Sequence, residues 1–347
     1  ALDVDAGTLT FGLVPPEARP LDLRRYSTRI YGAPTYEASE GPFPATHGAV
    51  GIAKASELML RFDTAGRKDA PERGLFFTRP VRPMAEPTHF AAAAVMGRLA
   101  AAPVPGYEAA EAMMARVADF LVHEREVRGW YGLMNYGDIM CAYYADLDRW
   151  AFDDGGYAWI NTESRPDYGL WLQSLRCARA DWLEASIAMT RHNRDVDMYH
   201  RGLLKGAGSR HNVNHWGCQD KEWRISTPIS QRLHYYLTAD PWTREVMRET
   251  VAAYRRYERT ASIGASMMAA FAGILTAWEL DHLPADEQAL ASFADVIAAA
   301  VRSDGLLVDR IHVDLATGKG HPVGDRIFTS LFFFNTFGGQ HVLTEYV

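Results

Sequence analysis

A mainly α fold is predicted: an α/α toroid, either an incomplete ring or a full α/α barrel, behind an N-terminal extended, β-containing segment. Three observations predict it. From about residue 86 the chain runs in long stretches whose apolar residues recur at helical spacing. No strong two-residue alternation interrupts them. The connections are uneven, and the long ones at 150–166 and 201–224 are rich in Gly, Asn, Asp and Trp. Long irregular loops inside a compact domain are more often functional than ornamental, so a ring of helices around a loop-lined cleft explains them better than a binding solenoid.

In chain order, residues 1–45 form the appendage and 46–347 the toroid. The run 8-TLTFGLVP-15 reads as a strand in need of a partner, which hints at a β-rich region before or beside it. Helices are predicted over 88–99, 107–126, 137–150, 167–191, 225–238, 242–259, 262–280 and 286–303. Leu172, Leu175, Trp182 and Met189 mark the apolar side of the fourth. Ile263, Met267, Phe271, Ile274 and Trp278 give a stripe on the seventh. Asp240-Pro241 has the form of an N-cap followed by a proline at the first helical position.

Composition excludes several classes. The net charge of -7 argues against a broad nucleic-acid surface, since phosphate binding needs a positive field. The apolar runs, such as 265-ASMMAAFAGILTAW-278, are too short and too rich in Ala and Gly to span a membrane. Cys141, Cys177 and Cys218 cannot make a disulfide framework and lack zinc-ribbon spacing. The N-terminus is not an intact signal peptide, and a start without Met points to processing or to a missing upstream part. Location stays open, with a secreted or periplasmic one favoured. Oligomeric state stays open as well.

The chemistry concentrates between Trp130 and Trp242, which enclose eight of the nine tryptophans. In 129-GWYGLMNYGDIM-140, Tyr136-Gly137-Asp138 is a turn in which Asp138 caps the next helix or orients a ligand-facing Tyr136. In 157-YAWINTESRPD-167, Trp159 offers a ring face to a sugar while Asn161 and Glu163 bind hydroxyls; a plain strand-like loop is the alternative. In 192-HNRDVDMYH-200, His192 closes a helix where its dipole favours a base. Asp195 and Asp197 share a cation or anchor histidines, and Asp197 faces His200 across a turn. In 210-RHNVNHW-216, Arg210, His211, Asn214, His215 and Trp216 lie on a loop offered to a cleft. His211 and His215 have the four-residue spacing of a metal pair, but no glutamate follows as in HExxH. No nucleophile elbow is present, and Cys218 is more readily a buried thiol than a nucleophile.

Five pieces, 48-GAVGIAKASELML-60, 130-WYGLMNYGD-138, 157-YAWIN-161, 192-HNRDVDMYH-200 and 210-RHNVNHW-216, carry a resemblance. The chain resembles bacterial exo-type rhamnogalacturonan lyase-like proteins and related glycan-degrading proteins. The first piece resembles the junction at which a β-rich region hands over to a helical toroid. The resemblance implies action on a glycan, by lyases or by hydrolases.

The leading expectation is β-elimination on a uronic-acid-containing glycan. Arg210, with Asn214, would clamp the carboxylate, and His211 or His215 would be the base. Tyr136 would protonate the leaving oxygen or itself act as base. Asp138 and Asp195 would orient these groups, while Trp159 and Trp216 hold sugar rings. No cofactor or metal is required, although a calcium ion would help neutralise the carboxylate. Two alternatives remain: a uronidase-type hydrolase with a carboxylate pair drawn from Asp138, Glu163, Asp195, Asp197, Asp220 and Glu222, and a non-catalytic glycan-binding protein.

Overall fold

The structure is a computed structural model that describes residues 2–13, 29–30, 33–34, 51–60, 74–77, 80–140, 143–150, 159–160, 165–202, 204–209, 221–256, 258–262, 267–314, 316–329 and 337–346. Among them the longer helices are α1 (Pro87–Ala93), α2 (Glu108–Val127), α3 (Pro166–Cys177), α4 (Ala180–Asp195), α5 (Ile229–Thr238), α6 (Pro241–Tyr254), α7 (Met268–Asp281), α8 (Pro284–Ala299) and α9 (Gly339–Tyr346). Successive helices pack as neighbours from α3 to α8. A second set of contacts links α3 to α5, α5 to α7, and α4 to α6. This alternation produces two rows of helices in a toroid-like arrangement. Helix α2 lies against α3 and α4, and α9 closes onto α7.

Local chemistry explains several ends. Asp240 caps α6, its Oδ1 accepting from the Trp242 and Thr243 amides at 2.9 and 3.2 Å. Pro166, Pro241 and Pro284 each sit at the start of a helix, where the missing N–H is not needed. Helix α7 is buried from Met268 through Ala277, because its Ala and Gly residues let neighbours approach from every side. The main core gathers there, with Phe271 stacked on Phe293 at 4.8 Å.

Two predicted helices take another form. Residues 167–191 divide into α3 and α4 at Ala178, which adopts φ 53. Arg179 follows, lies over the Trp182 ring and pairs with Asp181 and with Asp119 of α2. Tertiary ties therefore bend a chain whose apolar spacing continues unbroken. Residues 137–150 hold no helix among the described positions. A hairpin of β5 (Tyr143–Tyr144) and β6 (Arg149–Trp150) occurs instead, with Trp150 packed between Phe120 and Trp130.

At the N-terminus, β1 (Leu2–Asp5) and β2 (Thr8–Phe11) pair as an antiparallel hairpin, so the strand expected at 8–15 finds its partner just before it. Short pairs β3 (Arg29–Ile30) with β4 (Ala33–Pro34), and β7 (Gly208–Ser209) with β8 (Lys221–Glu222), follow. Strands β9 (Glu258–Ser262), β10 (Arg310–Asp314) and β11 (Gly320–Pro322) form an antiparallel sheet in the order β11-β10-β9. No helix among the described residues is long and apolar enough to cross a membrane.

Candidate functional site

The turn Tyr136-Gly137-Asp138 passes directly over α4. Gly137 has φ 97, and a Cβ there would lie 2.1 Å from the Ala188 carbonyl oxygen, so only glycine permits the approach. The approach delivers Asp138 to His192 in the last turn of α4. Asp138 Oδ2 lies 3.2 Å and Asp197 Oδ2 3.5 Å from His192 Nε2, and all three side chains are fully enclosed. Burial alone would strip the imidazole of its proton. The two carboxylates outweigh it and push the His192 pKa up to about 10. His192 is therefore a fixed imidazolium near neutral pH rather than a base. Asp138 does not cap a helix; its Oδ1 accepts from the Ile139 amide at 2.7 Å.

Above this floor opens a hollow of about 250 Å³, walled by His192 and Asp195, by Arg191, by Tyr131 and Tyr136, and by Lys54. The two tyrosine rings stack at 6.0 Å, and each is about half exposed. Burial and a hydrogen bond with Glu126 push the Tyr131 phenol up, so it holds its proton near neutral pH.

Lys54 arrives on a strap formed by residues 51–57. Asp195 pins that strap twice, through its carbonyl to the Ala53 amide at 3.0 Å and through Oδ2 to the Ala55 amide at 2.9 Å. The His200 amide donates to the Gly51 carbonyl at 2.6 Å, and Arg191 pairs with Glu57 at 3.0 Å. Gly51 has φ 107 and lies so close to Arg201 that a Cβ would sit 2.9 Å from its carbonyl oxygen.

Asp195 is a junction. Its Oδ1 accepts from Arg194 Nε at 2.7 Å and from Trp242 Nε1 at 2.9 Å. Burial opposes its charge, yet Arg194, the Ala55 amide and the indole hold its pKa below the usual range. Arg194 continues the chain of contacts to Asp240 at 2.7 Å and Thr243 at 2.8 Å. His200 does not face Asp197; its Nδ1 lies 2.9 Å from Glu249 Oε2, which Lys205 also binds at 3.0 Å. Among the described residues no three His, Cys, Asp or Glu side chains are grouped as metal ligands.

Residues 80–347 match the PcRGLX-like protein C-terminal alpha/alpha toroid domain. The chain belongs to this family. The family is carbohydrate-associated. The uncharacterized protein YetA of Bacillus subtilis (strain 168) is 34% identical over 245 residues, which is 70% of this chain. The chain spans 28% of that relative's length.

In this PcRGLX-like toroid, the sequence-derived candidates divide three ways. Tyr136, Asp138, His192, Asp195 and Asp197 meet at the hollow or directly beneath it. His200 and Trp159 lie elsewhere: Trp159 bridges Met140 and packs edge-on to Trp130 at 5.8 Å, half-buried in an aromatic core. Asn161, Glu163, Arg210, His211, Asn214, His215 and Trp216 fall outside the described residues. The strands that flank 210–220 are paired, and Gly208 forms a bridge with Met198, the neighbour of Asp197. Sequence reasoning missed Lys54 and Arg191 as site residues. The signal for Lys54 was its place in the 48–60 run, and that for Arg191 its position beside His192.

Proposed function

We propose that the protein cleaves a uronic-acid-containing polysaccharide or oligosaccharide by β-elimination in the hollow above His192. The observation that carries this reading is an enclosed histidine held between two carboxylates, set under an opening that also presents Arg191 and two exposed tyrosines. Elimination requires that the C5 proton be removed, that the C4 oxygen leave, and that charge gathering on the carboxylate be met by fixed positive groups. His192 and Arg191 supply that field. Asp138 and Asp197 are positioning residues that keep the imidazole charged and still. Tyr136 is assigned proton transfer to the leaving oxygen, because its ring borders the hollow and is open to solvent.

A histidine locked between two carboxylates cannot abstract a proton, so the base is assigned to His211 or His215. Arg210 and Asn214 join the clamp from the same segment, whose flanking strands are anchored beside Met198. Asn161, Glu163 and Trp216 are assigned to hydroxyl and ring contacts. The size of the hollow, below the ~300–1,000 Å³ of pockets for drug-sized ligands, suits one sugar ring rather than several.

Elimination is favoured over hydrolysis by a carboxylate pair because the described carboxylates here already have partners. Asp138 and Asp197 serve His192, and Asp195 serves Arg194, Trp242 and the strap. The test is product analysis on uronate-rich oligosaccharides. Products with near-ultraviolet absorbance and no added water are expected. Hydrated products without that absorbance would overturn the proposal in favour of a hydrolase, and binding without turnover would favour a glycan-binding protein.

A further inference from the structure

The hollow is not built by the matched toroid alone. Lys54 and Ala55 line it, yet they precede the matched range of 80–347. The strap is seated by four contacts to α4 and the residues after it, so Lys54 is delivered to one place rather than left to wander.

The cations around the hollow are not equivalent. Arg191 is engaged by Glu57 and Arg194 by Asp195 and Asp240. His192 lies between Asp138 and Asp197. Among the described residues Lys54 forms no ion pair. Burial lowers its pKa, and Arg191 and Arg194 lower it further against the opposing pull of Asp195. Asp195 attracts Lys54 but has its own donors in Arg194, Trp242 and the Ala55 amide, so it answers the lysine's charge only in part. A half-buried cation that forms no ion pair among the described residues is costly, and an arriving anion relieves that cost.

We infer that Lys54, held by the strap outside the matched toroid, is the specificity residue of this hollow and selects a sugar that bears a carboxylate over its neutral counterpart. This rests on the glycan reading above. The ammonium would meet one carboxylate oxygen of the bound ring, while the strap forms the wall against which the ring is oriented.

The test is calorimetric titration of the whole 347-residue chain with a uronate-containing oligosaccharide and with the same oligosaccharide after carboxyl reduction. Wild type, Lys54→Met and Lys54→Arg are compared, with circular dichroism to confirm the fold. Wild type is expected to prefer the acidic sugar by roughly tenfold or more, the worth of one charge-assisted contact. Lys54→Met should lose that preference by weakening the acidic sugar alone, and Lys54→Arg should retain most of it. An unchanged preference in Lys54→Met overturns the inference even if wild type cleaves the glycan. A wild type that binds neither sugar overturns the glycan reading and the inference together. Lys54-dependent binding with no unsaturated product supports the inference while overturning elimination alone.

Discussion

Among the described residues, two of the buried clusters that hold one cation between two carboxylates do different work. At the end of α9, Arg232 of α5 binds Glu279 of α7 and Glu345 of α9, with Nε to Glu279 Oε2 at 2.5 Å and Nη2 to Glu345 Oε2 at 2.6 Å. Tyr236 adds a hydrogen bond to Glu279 at 2.6 Å. A guanidinium with several donors is consumed by these short contacts and ties three helices together. Beneath the hollow, His192 lies 3.2 and 3.5 Å from Asp138 and Asp197, its side chain fully enclosed in the floor. There the cation is held largely by the field of its partners, so its charge acts on the hollow as a field from below rather than by contact. The difference teaches that buried ion pairing is no guide to function by itself; what matters is whether the cation has a second neighbour to serve.

The comparison is broken or sharpened by four variants. Tyr136→Phe should lower kcat by about 10²–10⁴-fold, the usual worth of a proton-transfer group, with the unfolding midpoint unchanged because the ring is half exposed. Steady-state kinetics and urea unfolding on the same preparation would check both halves. Arg232→Met should leave turnover per folded molecule intact but cost about 3–5 kcal/mol of stability, since two carboxylates are left without their cation. A loss of turnover without a loss of stability would reverse the roles given to the two clusters.

The third variant concerns pH. The folded His192 pKa lies above its unfolded value, at about 10 against 6.5. Its contribution to stability is thus fully present below pH 6.5 and disappears as pH rises toward about 10. Asp138→Asn removes one of the two raising carboxylates, so the decline should begin at lower pH, followed by unfolding curves or by the imidazole resonances. An identical pH profile in the variant would contradict the account of His192. The smallest effect is expected for Trp242→Phe, which deletes the indole bond to Asp195 and should cost ~1.5 kcal/mol, with a modest rise in KM as the strap loosens.

Much of the scaffold was legible from local chemistry. Asp240-Pro241 specified both the cap and the first residue of α6, and Leu283-Pro284 separated α7 from α8. Errors arose where distant contacts overrode local preference. Ala178 carries no breaker signal, yet the chain bends there because Arg179 reaches Asp119 of α2. The 137–150 segment was expected to be helical, but Trp150 and Tyr143 pack against Phe120 in a hairpin. At the site, the turn glycine Gly137 was readable, since a Tyr-Gly-Asp turn needs one residue free of a side chain. That Asp138 meets His192, rather than a helix terminus, was not readable, because the two are 54 positions apart in the sequence. Lys54 was hidden for the same reason, its neighbours Asp195 and Arg191 lying far along the chain.

The most direct measurement is a crystal structure of the protein with a non-cleavable uronate oligosaccharide. The account predicts a sugar ring in the hollow above His192, bordered by Tyr131 and Tyr136, with its carboxylate turned toward Lys54 and Arg191. A saturating ligand found on another face, with this hollow left unchanged, would contradict it.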